Sequence, residues 1–125
     1  SDVKVVEQIG FDLVTLIENG EMHSKRMTQL LNDYLLPMVA QDIDYLVLGC
    51  THYPYLIPQI KKIIPKHIKI IDSGEAVAKQ TKHILEINNL FNNTKDAKQT
   101  FYINNPPEVM QELIGDKFKV IFKDF

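Results

Sequence analysis

In the run Tyr45 to Leu56, YLVLGCTHYPYL, the only cysteine of the chain stands two residues before a histidine, with a threonine between them. A neighbouring imidazole can poise a thiol for proton transfer. A loop at this point can also turn backbone N–H groups and the Thr51 hydroxyl toward an anion. Free cysteine is equally among the most buried and inert residue types, so residue type alone leaves both chemistry and packing open for Cys50. A metal site is not expected. Zinc needs three or four protein ligands, and His23, His67 and His83 are at no ligand spacing from Cys50 and His52. A Cys-His hydrolase is recognised by spatial roles, but such a site rarely sets both partners two residues apart.

Two other groups deserve the same weighing. Asp72-Ser73-Gly74 could meet a ligand at a helix N-terminus. With Glu75 it also completes a capping box, which is the preferred reading. Glu18, in LVTLIENG, follows an apolar run and by default reads as a solvated turn carboxylate. His23, His67 and His83 lie among polar residues and read as surface, and Lys61, Lys62 and Lys66 as a solvated helix end.

The elements that must position these groups follow from periodicity. Val3 to Val6 is short and β-branched and predicts a strand. Leu13 to Ile17 is a short apolar run stopped by Asn19-Gly20. Met27, Leu30, Leu31, Tyr34, Leu35 and Met38 share one helical face, and Pro37 should kink or end that helix. Tyr45 to Leu48, closed by Gly49, reads as a buried parallel strand. Pro54 and Pro58 bracket a loop and a helix start, and Pro65 ends that helix. A strand at Ile68 to Ile71 leads to a helix capped by Asp72 and running to Ile87. Asn88-Asn89 and Asn92-Asn93-Thr94 dissolve it. Phe101 to Ile103 and Lys119 to Phe122 are strands around a helix at Glu108 to Ile114. The alternation predicts an α/β fold with one parallel sheet flanked by helices. In such folds ligands sit at the carboxyl ends of strands. Cys50 lies at one such end and Asp72-Ser73 at the next.

Composition sets the outer bounds. The 125 residues suffice for one ordinary domain. Apolar residues make up 45% and charged residues 24%, as in a soluble globular protein. A net charge of −2 argues against nucleic acid or an acidic membrane as partner. No apolar run approaches the ~20 residues of a spanning helix. The N-terminus lacks a signal-peptide pattern. One cysteine fits a reducing cytoplasm. Ser1 opens directly into an apolar-rich stretch, as expected of a processed chain or of a piece of something longer.

YLVLGCTHYPYL resembles the second cysteine motif of glutamate racemases, in the aspartate/glutamate racemase superfamily. LLNDYLLPMVAQDIDYLVLGCTHYP and IIDSGEAVAKQTKHIL resemble adjoining family segments, and FYINNPPEVMQELIG resembles the C-terminal region more loosely. LVTLIENG resembles a segment with an acidic residue, although QIGFD before it departs from the usual form. The resemblance implies one half of a pseudo-symmetric two-domain racemase. It implies interconversion of L- and D-glutamate for peptidoglycan synthesis, without cofactor. Two cysteines would face opposite sides of the α-carbon, one removing a proton while the other donates one. Cys50 and His52 are then the implied catalytic pair, with Cys50 serving the L-glutamate direction. Thr51 and His52 would bind substrate, and Glu18 is a further candidate.

The resemblance also marks what these residues lack. The family's other cysteine lies in an N-terminal half, so the chain reads as a C-terminal half, expected to be inactive alone. Residues 1–72 would belong to the second racemase domain and 73–125 would return toward the first. Implied partners are L- and D-glutamate and the N-terminal half, with a homodimer as an option. Two other readings stay open. One is a non-catalytic module of this fold that binds a carboxylate or phosphate, and the other is a relative acting on aspartate.

Overall fold

The structure, a computed structural model, describes residues 3–92 and 96–125. Of the loop expected at Asn92-Asn93-Thr94, Asn93 and Thr94 lie outside the described residues. The chain divides into two compact units, Ser1–Glu75 and Ala76–Phe125.

In the first unit the apolar run after Phe11 is a short helix, α1 (Leu13–Glu18). Asp12 enters it with φ 64°, a left-handed conformation that aspartate tolerates. Leu13, Leu16 and Ile17 face inward, and Gly20 at φ 73° turns the chain away. Helix α2 (Lys25–Val39) starts at Ser24, whose hydroxyl accepts the Met27 N–H at 3.1 Å. Its buried stripe is Met27, Leu30, Leu31 and Leu35, the face expected from the periodicity. The helix runs slightly past Pro37 and stops at Val39, with Asp42 at φ 57° in the turn beyond.

Strand β1 (Tyr45–Val47) pairs in parallel with β2 (Lys69–Ile71), Leu46 opposite Ile70. Between them lie a 3-10 turn at Tyr53–Leu56 and helix α3 (Ile57–Ile63), with Pro54 and Pro58 in the first turns. Ile64 is forced extended by Pro65, so α3 ends there. Leu46, Leu48, Leu56, Ile60 and Ile68 close the core against α1 and α2. No buried polar side chain interrupts it among the described residues.

The second unit holds most of helix α4 (Gly74–Ile87), then β3 (Thr100–Ile103), α5 (Pro107–Ile114) and β4 (Lys119–Phe122). β3 and β4 are parallel, Thr100 opposite Lys119, and Phe101 packs edge-to-face on Phe118 at 5.5 Å. Gly115, at φ 78°, ends α5.

The α/β expectation of parallel strands with helices is met, with one two-stranded parallel ladder in each unit. One expectation is corrected. Val3 to Val6 is no strand, and Val3 and Val5 are about four-fifths exposed, at 80% and 82%. β-branched residues favour a strand only where a neighbour supplies ladder bonds and packing. Among the described residues no helix is long and apolar enough to cross a membrane.

The core account gives a direct test. Leu56 is fully buried where the 3-10 turn meets α3. Leu56→Ala should cost about 2–5 kcal/mol of unfolding free energy, read from urea denaturation.

Candidate active site

The last rung of the first ladder is the Leu48 N–H on the Ile71 carbonyl, at 2.8 Å. After Leu48 the chain leaves the sheet through exposed Gly49 and bends at Cys50. The Tyr53 N–H returns to the Cys50 carbonyl at 3.2 Å and the Tyr55 N–H to the His52 carbonyl at 3.2 Å. Pro54 locks its own φ in the first turn of the 3-10 segment. This tight turn holds Cys50, Thr51 and His52 together at the carboxyl end of β1.

Within the turn the Cys50 thiol is half-buried, and its Sγ lies 3.9 Å from His52 Nδ1. Thr51 Oγ1 lies 3.4 Å from the same nitrogen. On the other side of the ring, His52 Nε2 is 3.2 Å from Glu18 Oε1, at the end of α1. Glu18 is more than half exposed and also meets the His52 ring. A carboxylate only accepts, so the tautomer with a proton on Nε2 satisfies this contact and leaves Nδ1 able to accept from the thiol. Carboxylate, imidazole and sulfur form a line along which a proton can be taken from Sγ or returned to it. The imidazole can also be left positively charged and paired with Glu18.

Tyr53 is a neighbour that the sequence reading passed over. Its hydroxyl donates to the Gly10 carbonyl at 3.4 Å. A Cβ on Gly10 would come within 2.6 Å of the Tyr53 hydroxyl oxygen and 2.7 Å of Leu13 Cδ1, so only glycine permits this approach. The visible signal was a glycine in QIGFD together with a tyrosine in the motif. The Tyr34 hydroxyl similarly donates to the Phe11 carbonyl at 3.2 Å. Burial pushes the Tyr53 phenol above its ordinary value of 10.0, and the charge of a Cys50 thiolate adds to the rise.

The remaining candidates stand apart from the turn. Asp72 Oδ1 accepts the Gly74 N–H at 2.9 Å, an Asx-type bond just before α4. His23, His67 and His83 are exposed. Among the described residues no three of the histidine, cysteine, aspartate and glutamate side chains gather as metal ligands would.

The chain is similar to proteins of known kind. A glutamate racemase of Pseudomonas putida strain F1 is 37% identical over 114 residues, 91% of this chain. The chain spans 43% of that relative's length. Among solved structures, a glutamate racemase isoform from Bacillus anthracis matches with a TM-score of 0.74 at 31% identity, over 90% of this chain and 44% of that one. A glutamate racemase from Francisella tularensis in complex with D-glutamate matches with a TM-score of 0.72 at 27% identity, over 91% and 44%. No family model matches the chain.

The half-buried phenol makes a pH prediction. Its folded pKa is raised, so the fold favours neutral Tyr53. That contribution is complete below the unfolded value of 10.0 and is lost as pH rises through the folded value. Tyr53→Phe should remove this part of the alkaline loss of stability. Denaturant midpoints of both proteins across that range check it.

Proposed function

We propose that this chain, a homologue of glutamate racemases over 91% of its length, supplies one catalytic face of such an enzyme. The observation that carries the reading is the line Cys50 Sγ, His52, Glu18 at the end of a parallel strand. Inverting a carbon centre by proton exchange needs a base on one face and an acid on the other. A thiol can serve as either when its protonation is tuned near neutrality.

In this account the Cys50 thiolate removes the α-proton of one glutamate enantiomer, and the Cys50 thiol returns a proton in the reverse direction. His52 accepts the thiol proton on Nδ1 while Glu18 holds Nε2. Thr51, beside Cys50, offers its hydroxyl and backbone N–H to a substrate carboxylate. By the family resemblance Cys50 serves the L-glutamate direction and no cofactor takes part. The opposite face needs a second acid/base from outside these 125 residues, because Cys50 is the only cysteine among them. We assign that group to an N-terminal half, with residues 1–72 in the second racemase domain and 73–125 returning toward the first. The product D-glutamate would serve peptidoglycan synthesis in the cytoplasm.

The experiment joins the chain behind the unmatched part of the Pseudomonas putida relative. Racemisation of both enantiomers is followed by circular dichroism. Cys50→Ala should abolish turnover, whereas a packing role would leave it measurable. His52→Asn should lower kcat by about 10²–10⁴-fold with a smaller change in KM. Unchanged kcat would remove His52 from the proton path.

A further inference from the structure

Helix α1 meets the Cys50 turn at both of its ends. At the far end Glu18 Oε1 lies 3.2 Å from His52 Nε2. At the near end the Gly10 carbonyl accepts the Leu13 N–H at 3.4 Å and the Tyr53 hydroxyl at 3.4 Å. His52 and Tyr53 are neighbours in sequence, so both contacts finish on the same turn. Tyr53, Gly10, α1, Glu18 and His52 thus close a ring.

That ring matters because α1 is only six residues long. A helix so short does not hold itself in water, and its placement is set by what touches it. Leu13, Leu16 and Ile17 bury its inner face, but apolar contact is non-directional. Directional bonds must fix how far the helix slides along that face. Among the described residues three side chains reach its entry. Arg26 lies 3.6 Å from Asp12 Oδ2, with both side chains more than half exposed, and such a pair contributes little. The Tyr34 hydroxyl donates to the Phe11 carbonyl at 3.2 Å. Both of these residues belong to α2. Of the three, only Tyr53 ties the entry to the Cys50 turn, at an approach so close that a Cβ on Gly10 would come within 2.6 Å of its oxygen. At the other end Glu18 is more than half exposed, so its contact with His52 depends on where α1 is held.

We propose that Tyr53 is a positioning residue for the proton relay: its hydroxyl fixes the entry of α1 against the Cys50 turn, so that Glu18 stays on His52. Tyr53 acts through Glu18 and His52 and not on the substrate. When α1 shifts, the imidazole loses the carboxylate that favours its positive form. A thiolate beside it is then favoured less, and Cys50 ionises at higher pH. The inference rests on the proposed Cys50, His52 and Glu18 relay.

Alkylation of Cys50 by iodoacetamide in the 125-residue chain, followed as a function of pH, reads the thiolate. Tyr53→Phe keeps the ring and removes the bond. It should slow alkylation at neutral pH by at least about threefold and move the profile to higher pH. Tyr34→Phe removes a comparable bond at the α1 entry but none to the turn, and should leave the rate within about twofold. Equal slowing in both variants, or slowing in neither, overturns the proposal. In a Glu18→Gln background, Tyr53→Phe should add less than about twofold, because the contact it protects is already gone. A full threefold loss there also overturns it. In the fusion to the unmatched part of the Pseudomonas putida relative, Tyr53→Phe should lower kcat by about three- to tenfold with KM unchanged. A fusion that racemises glutamate with kcat unchanged by Tyr53→Phe overturns the positioning role and leaves the racemase reading standing. Slowed alkylation with a fusion that does not racemise does the reverse.

Discussion

The pairing of Leu48 N–H with the Ile71 carbonyl is the rung on which the site depends. It fixes where β1 stops, and the next residues must leave the sheet. Leu46 and Leu48 are buried on the side of α2, so the strand can neither slip nor rotate without exposing them. Cys50 is thereby carried to a strand end, where ligands reach α/β folds. A shift of the register by one residue would turn the buried leucines outward and move His52 away from Glu18.

From that anchor the chemistry is assembled by short-range contacts. The turn bonds of Tyr53 and Tyr55 hold Cys50 and His52 on one loop. Helix α1 brings Glu18 to the far nitrogen of the ring. Tyr53 ties the same turn to the Gly10 carbonyl, an approach that no larger residue than glycine allows. The stretch from Gly10 to Glu18, remote in sequence, thus holds the turn at two points. The turn holds a single sulfur beside one imidazole–carboxylate pair, and the proposed one-face role rests on that arrangement.

Much of this was legible in the chain, and the failures have physical causes. The stripe of α2 and the stop at Pro65 are local effects and appear where periodicity and proline geometry put them. The GCTH segment stood out because residue types and a strand end coincided. The Glu18 contact to His52 was not legible from periodicity, because it joins residues far apart in sequence through helix placement. Val3 to Val6 failed as a strand for the complementary reason. Its composition suits a ladder, but no neighbouring strand supplies one. The parallel pairing expected from alternation appears within each unit, β1 with β2 and β3 with β4.

The central claim is that Cys50 and its relay serve one face only. Exchange of the glutamate α-proton in heavy water, followed by NMR, tests this most directly. The account predicts no enzymatic exchange by the purified 125-residue chain with either enantiomer, and exchange with both once the chain is joined to the unmatched part of its Pseudomonas putida relative. Efficient racemisation by the 125 residues alone would contradict it.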